Sequence, residues 1–164
     1  MTWPPLTWRD LSSADHRAAF APWHGVEHRL EHVATKDGVR YVNDSKATNV
    51  NCAYIALDTE DAPIIWIMGG TDKGNDYTPL FSLVEAKVRV VVDLSRNSKL
   101  VPPTFHHDGR PVLQVSSMPE AVATARANAE PGDTVLLSPA CASFDRFANY
   151  AERGHLFRAA VEAI

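Results

Sequence analysis

The chain has 164 residues, 45% of them hydrophobic and 22% charged, a globular balance that excludes intrinsic disorder and suffices for one domain with a substantial core. Its net charge is −4 and its 16 lysines and arginines are scattered, which excludes the basic footprint of a nucleic-acid binder. Two cysteines without metal-ligand spacing, no apolar run near the roughly 20 residues of a membrane span and no apolar h-region at the start lead us to expect a reduced, cytoplasmic protein with no membrane partner.

Residues 1–27 carry Trp3, Trp8 and Trp23, the pair Pro4-Pro5 and one short helical candidate at 13–20. They read as a tail (1–23) entering a domain that begins near residue 24. E-H-V-A-T (31–35), the turn signal Asp37-Gly38 and V-R-Y-V (39–42) predict a β-hairpin. A helix is expected over 50–57. P-I-I-W-I-M (63–68) is a continuous apolar run bounded by Pro and Gly-Gly, the pattern of a parallel strand buried on both faces. A helix over 78–86, a strand over 88–94 and a strand over 111–115 follow. Ser117 is placed to cap the next helix, with Pro119 and Glu120 in its first turn. Pro131-Gly132-Asp133 breaks the chain before the strand T-V-L-L (134–137), and two closing helices are expected over 144–152 and 155–163. Strands alternating with helices predict an α/β fold: a three-layer sandwich around a Rossmann-like, mostly parallel sheet with an antiparallel N-terminal hairpin.

Three of the expected strand-to-helix loops are unusually polar: N-D-S-K-A-T-N (43–49), G-G-T-D-K-G-N-D-Y (69–77) and S-P-A-C-A-S-F-D (138–145). In open α/β sheets ligands bind outside the carboxyl ends of the strands, where such loops meet. Lys46 and Lys73 offer positive charge and Thr48, Ser138 and Ser143 offer hydroxyls. Gly69, Gly70 and Gly74 let backbone N–H groups approach an anion. A small substrate with two acid groups suits that set. Each element also has an ordinary structural use. Asp44, Ser45 and Thr48 serve as helix-capping residues elsewhere, and the glycines match no phosphate-loop pattern. Lys73 alone reads as a solvated lysine, Ser143 has no triad partners in view, Cys141 reads as a small buried residue, and His106-His107 as a solvated loop. What singles out the loops is their coincidence at one topological position.

These stretches, with H-R-L-E (28–31) before them and E-R-G (152–154) after, closely resemble, in the same order, the C-terminal domain of the D-glutamate-adding members of the Mur ligase family. Sister muramyl ligases and folylpolyglutamate synthases carry a D-x-A-H-x-P type of motif where this chain has D-S-K-A-T-N. The resemblance implies a whole enzyme in which ATP phosphorylates the alanyl carboxylate of UDP-MurNAc-L-Ala and the amine of D-glutamate attacks the acyl phosphate. By the same resemblance Lys46, Thr48, Lys73, Ser143, Phe144 and Tyr150 form the D-glutamate pocket, and Arg29 and Asp44 reach the nucleotide. Tyr150 stands where another aromatic is frequent. No G-x-x-G-K-S/T motif is present. The resemblance therefore implies that the ATPase and UDP-binding parts, the magnesium ligands and the catalytic residues lie outside this chain. It also implies that residues 1–23 are the remnant of a hinge, that the chain alone is inactive and monomeric, and that neither ATP nor Mg²⁺ is held by it alone. Two rival readings are a polyglutamate-adding ligase domain and a non-catalytic binding module of the same fold.

Overall fold

The hairpin closes where both turn residues take the left-handed conformation that its tight two-residue loop demands: Asp37 has φ 52° and Gly38 φ 78°. Strand β1 (Glu31–Lys36) pairs antiparallel with β2 (Val39–Asn43), with an irregularity in register between His32 and Ala34. This computed structural model describes residues 26–96 and 100–164, without the side chains of residues 107 and 108. The expected tail at 1–23 and its helix at 13–20 lie outside the described residues.

Helix α1 (Val50–Thr59) leads to β3 (Ile64–Met68). A 3₁₀ turn (Thr78–Leu80) and α2 (Phe81–Lys87) lead to β4 (Val88–Asp93), and a further 3₁₀ stretch (Pro103–Gly109) to the short edge strand β5 (Val112–Gln114). Then come α3 (Met118–Ala127), β6 (Thr134–Leu137) and α4 (Tyr150–Glu162). The sheet order is β1-β2-β6-β3-β4-β5, and every pairing beyond the first hairpin is parallel. The last strand in the chain thus lies between the second and third.

Alternation along β3 divides the core into two layers, as a strand buried on both faces requires. Ile64, Trp66 and Met68 pack with α1, α2 and Phe105; Ile65 and Ile67 pack with α3 and α4 through Val122, Phe157 and Val161. Trp66 is fully buried, yet its indole N–H is satisfied by the Ser138 carbonyl at 2.7 Å. Phe105 meets Trp66, Tyr77 and Phe81 edge-on at centroid distances of 5.7, 6.3 and 5.6 Å, the geometry aromatic quadrupoles favour. This is the three-layer α/β sandwich expected from the sequence. No described helix is long and apolar enough to cross a membrane.

The helix starts are set by side chains. Ser117 caps α3 as expected, accepting from the Glu120 amide at 3.4 Å. The cap of α1 is Asn49, which accepts from the Cys52 amide at 2.9 Å, so Asp44, Ser45 and Thr48 are released for other contacts. At the C-terminal end two helices were expected, and one forms. Asn149 is extended (φ −161°) and accepts from the Glu152 amide, while Glu152 Oε2 accepts from the Ala148 amide at 2.6 Å. That reciprocal capping starts the helix at Tyr150, and residues 144–149 remain turns. Gly154, which falls in the gap between the two expected helices, lies inside the one that forms, with the His28 ring packed against its Cα. A methyl group there would sit 2.3 Å from His28 Nδ1.

Gly154→Ala is therefore expected to lower the unfolding free energy by about 2 kcal/mol, overpacking against His28 outweighing the roughly 1 kcal/mol gained in helix propensity. Urea unfolding checks this, and a stabilised variant would sink it.

Candidate functional site

Because β2, β6 and β3 are parallel neighbours, the loops that leave them, 44–49, 138–149 and 69–77, emerge at the same edge. The three polar loops meet there, as the sequence led us to expect.

The first and third loops are joined through α4. Arg153 is fully buried and makes three hydrogen bonds: Nη2 to the Ser45 carbonyl at 2.8 Å, Nε to Ser45 Oγ at 3.0 Å and Nη1 to the Cys141 carbonyl at 3.2 Å. Ser45 Oγ in turn donates to the Tyr150 carbonyl at 2.7 Å. Burial lowers the Arg153 pKa to about 10, so the guanidinium remains charged at neutral pH. Arg153 lies in the E-R-G stretch (152–154), and the sequence alone assigns it no role. A signal was available: Arg153, Phe157, Ala160 and Val161 share the buried side of α4, and a cation on that side requires fixed acceptors.

The second and third loops approach backbone to backbone. Thr71 N donates to the Ala142 carbonyl at 2.8 Å and Gly69 N to the Pro139 carbonyl at 3.0 Å. A side chain at Gly70 (φ 148°) would begin 2.2 Å from the Ala142 carbonyl, so glycine is required there by close approach. Gly74 N donates to Asp72 Oδ1. The amides of Gly69 and Gly74 are thus already spent inside the protein, which corrects their expected role as an anion cradle. Asn75 Nδ2 reaches the Ala140 carbonyl and the Tyr77 hydroxyl, each at 3.3 Å. Cys141 is buried, with Sγ 3.0 Å from that hydroxyl and its pKa raised by desolvation, an inert residue as expected.

The other expected site residues, Arg29 apart, lie on the same three loops and at the start of α4. Lys46 Nζ donates to the Tyr150 hydroxyl at 3.1 Å and lies 4.6 Å from the centre of its ring. Lys73 is exposed two residues past the Thr71–Ala142 bridge, and Ser143 is buried one residue past it. Phe144 is 69% exposed, unusual for an aromatic of its size. Thr48 is exposed beside Asn49, which with Val50, Gly74, Asn75 and Asp76 lines an open groove between α1 and the lysine loop. Among the described residues neither lysine has an ion-pair partner.

Arg29 and Asp44 share a narrow cleft with Leu30, Lys46, Ala47, Cys52, Ile55 and Ala56. The Asp44 carboxylate accepts from the Leu30 amide at 3.2 Å and from Ser138 Oγ at 2.9 Å. Ser138 is therefore an internal donor and is withdrawn from the ligand set. Burial pushes Asp44 up to about 6 against the pull of those hydrogen bonds.

Glu27, His28 and His155 bring three ligand-type atoms within 4.8 Å of one another. Chemistry disfavours a metal centre. Asn43 Oδ1 accepts from the Ser45 amide, so Nδ2 is the atom that donates to the Gly154 carbonyl and to His28 Nδ1. The His28 proton then sits on Nε2, the atom that would have to bind the metal, and Arg158 pairs with Glu27 at 3.1 Å.

Residues 28–141 match the family model described as Mur ligase, glutamate ligase domain. The chain is 49% identical over 148 residues to the UDP-N-acetylmuramoylalanine–D-glutamate ligase of Salinibacter ruber, covering 90% of this chain and 32% of that protein. With the ligase of the same name from Chloroherpeton thalassium it shares 52% over 139 residues, covering 85% and 30%. It spans about a third of the length of these curated relatives. Its fold is shared with the bifunctional folylpolyglutamate synthase/dihydrofolate synthase of Yersinia pestis, at a TM-score of 0.55 and 13% identity over 90% of this chain and 34% of that one.

Two outcomes follow from this geometry. Arg153→Lys should cost about 3 kcal/mol in urea unfolding, because an ammonium cannot reproduce the planar fork to two carbonyls and a hydroxyl; an unchanged midpoint would remove the guanidinium from its bridging role. Asp44 keeps its proton in the folded state up to about pH 6, whereas its ordinary value is 3.8. The folded state binds the extra proton, so stability falls as pH rises from about 4 to 6, by about 3 kcal/mol at most. Asp44→Asn should abolish that fall, and parallel stability–pH curves for the two proteins would refute it.

Proposed function

The chain belongs to the family of Mur ligase glutamate ligase domains, and from that premise we propose that it is the D-glutamate-binding domain of an ATP-dependent ligase of peptidoglycan precursor synthesis. The whole enzyme would join D-glutamate to UDP-MurNAc-L-Ala with release of ADP and phosphate. The observation that supports the reading is that the loops bearing Lys46, Thr48, Lys73 and Ser143 leave neighbouring parallel strands at one sheet edge, with both lysines free of carboxylate partners among the described residues. Its other support is the identity of 49 and 52% to D-glutamate ligases.

In this reading Lys46 and Lys73 hold the two carboxylates of D-glutamate, Thr48 and Ser143 fix its orientation, and Phe144 and Tyr150 wall the pocket. Holding both acid groups leaves the amine directed at the acyl carbon and offsets the negative charge gathered when a dianion meets an acyl phosphate. Arg29 contributes a cation toward the nucleotide phosphates, and Asp44, beside it in the cleft, an acceptor for ribose hydroxyls. For that role Asp44 must turn from the Leu30 amide and Ser138 or share them.

Phosphoryl transfer and the magnesium ion that serves it are assigned to the parts of the ligase outside this chain. The Glu27, His28 and His155 group offers one oxygen and two nitrogens, which does not suit a cation that demands oxygen ligands. The chain alone is proposed to bind but not to catalyse, as a cytoplasmic monomer whose substrate is completed by the ATP- and UDP-binding parts.

An NMR titration of the labelled chain with D-glutamate, against L-glutamate, tests the reading. Selective shifts at the Lys46, Thr48, Lys73 and Ser143 amides are expected, with affinity about 10-fold lower in Lys73→Ala. Preference for L-glutamate would favour a polyglutamate-adding ligase, and no response to either enantiomer would favour a binding module of other specificity.

A further inference from the structure

The Lys46–Tyr150 pair holds more information than a lysine packed on a ring. The ammonium donates to the phenol oxygen at 3.1 Å, so the phenol's own proton must point elsewhere, and among the described residues it has no acceptor. An O–H whose oxygen already accepts from a cation is a stronger donor, because hydrogen bonds in series polarise one another. Two further N–H groups of the ammonium have no acceptor among the described residues either. Adjacent atoms therefore present one cationic and one neutral donor, side by side, at the ligand edge of the sheet.

Both prongs are held in place. Tyr150 is the first residue of α4, fixed by the Asn149 cap, by Ser45 Oγ on its carbonyl at 2.7 Å and by the His28 ring packed edge-on at 6.4 Å. Lys46 follows Ser45 directly, and its amide donates to the His28 carbonyl at 3.0 Å. Tyr150 opens the 13-residue helix α4, and the buried Arg153 cation is bonded to Ser45, the residue before Lys46.

We infer that Lys46 and Tyr150 form a two-pronged fork that reads one carboxylate of the acidic amino acid, the ammonium taking one oxygen and the phenol O–H the other. The fork rests on the glutamate-site reading above and deepens it, since it makes the hydroxyl of Tyr150, and not only its ring, a determinant of carboxylate recognition.

The test compares wild type with Tyr150→Phe, which keeps the ring and removes only the hydroxyl. Each is titrated with D-glutamate and with its two monoamides, D-glutamine and D-isoglutamine, by NMR, with the α4 amide shifts as the check on fold. The expected result is a loss of about 10-fold in D-glutamate affinity, and a clearly smaller loss for one of the two amides, the one whose fork-facing carboxylate has been replaced. Equal D-glutamate affinity in both proteins would overturn the fork alone. So would a uniform loss across all three ligands, which would mean a distorted pocket. A wild-type chain that takes up no acidic amino acid would overturn the fork and the glutamate-site reading together.

Discussion

One buried guanidinium holds the ligand edge of this domain together. Arg153 is among the largest fully buried side chains, and removing a cation from water costs several kcal/mol unless its donors are satisfied. Here the acceptors are the Ser45 and Cys141 carbonyls and Ser45 Oγ, drawn from the loops after β2 and β6. The arrangement those loops take satisfies the arginine. The same serine passes the constraint on through its bond to the Tyr150 carbonyl, so the start of α4 and the lysine next to Ser45 are positioned by one network.

The sheet order gives that network its reach. Placing β6 between β2 and β3 brings segments nearly a hundred residues apart to one edge, and the shortage of space there dictates the local chemistry. Gly70 leaves room for the Ala142 carbonyl, and Ser138 and Asp44 satisfy one another below the surface. What remains outward is a pair of lysines without carboxylate partners among the described residues. The polar residues of the loops thus divide into an inner set that fastens and an outer set free to bind.

Elements that depend on neighbours in sequence were legible in it. Asp37-Gly38 specified the hairpin through its own backbone preferences, and the apolar run of β3 announced a strand covered on both faces. Ser117 was readable as a cap because its partner, Glu120, is three residues away. Signals that depend on distant partners misled. Gly154 falls between the two expected helices, and the space beside it is occupied by His28, far away in sequence. Gly69 reads as an anion-binding amide until its acceptor, the Pro139 carbonyl, is in place.

The sequence by itself therefore determined the α/β alternation, the hairpin, the buried strands and the residue types of the three polar loops, because these follow from hydrophobic period and from backbone preferences a few residues long. Only the tertiary structure decided which polar groups are spent inward, that α4 is one helix, that Asp44 is buried enough to titrate near 6, and that Lys46 shares its ammonium with the Tyr150 hydroxyl. The start of α4 is set by its Asn149 cap; the other outcomes depend on desolvation and on the meeting of atoms from loops far apart in the chain, and neither is set by local spacing.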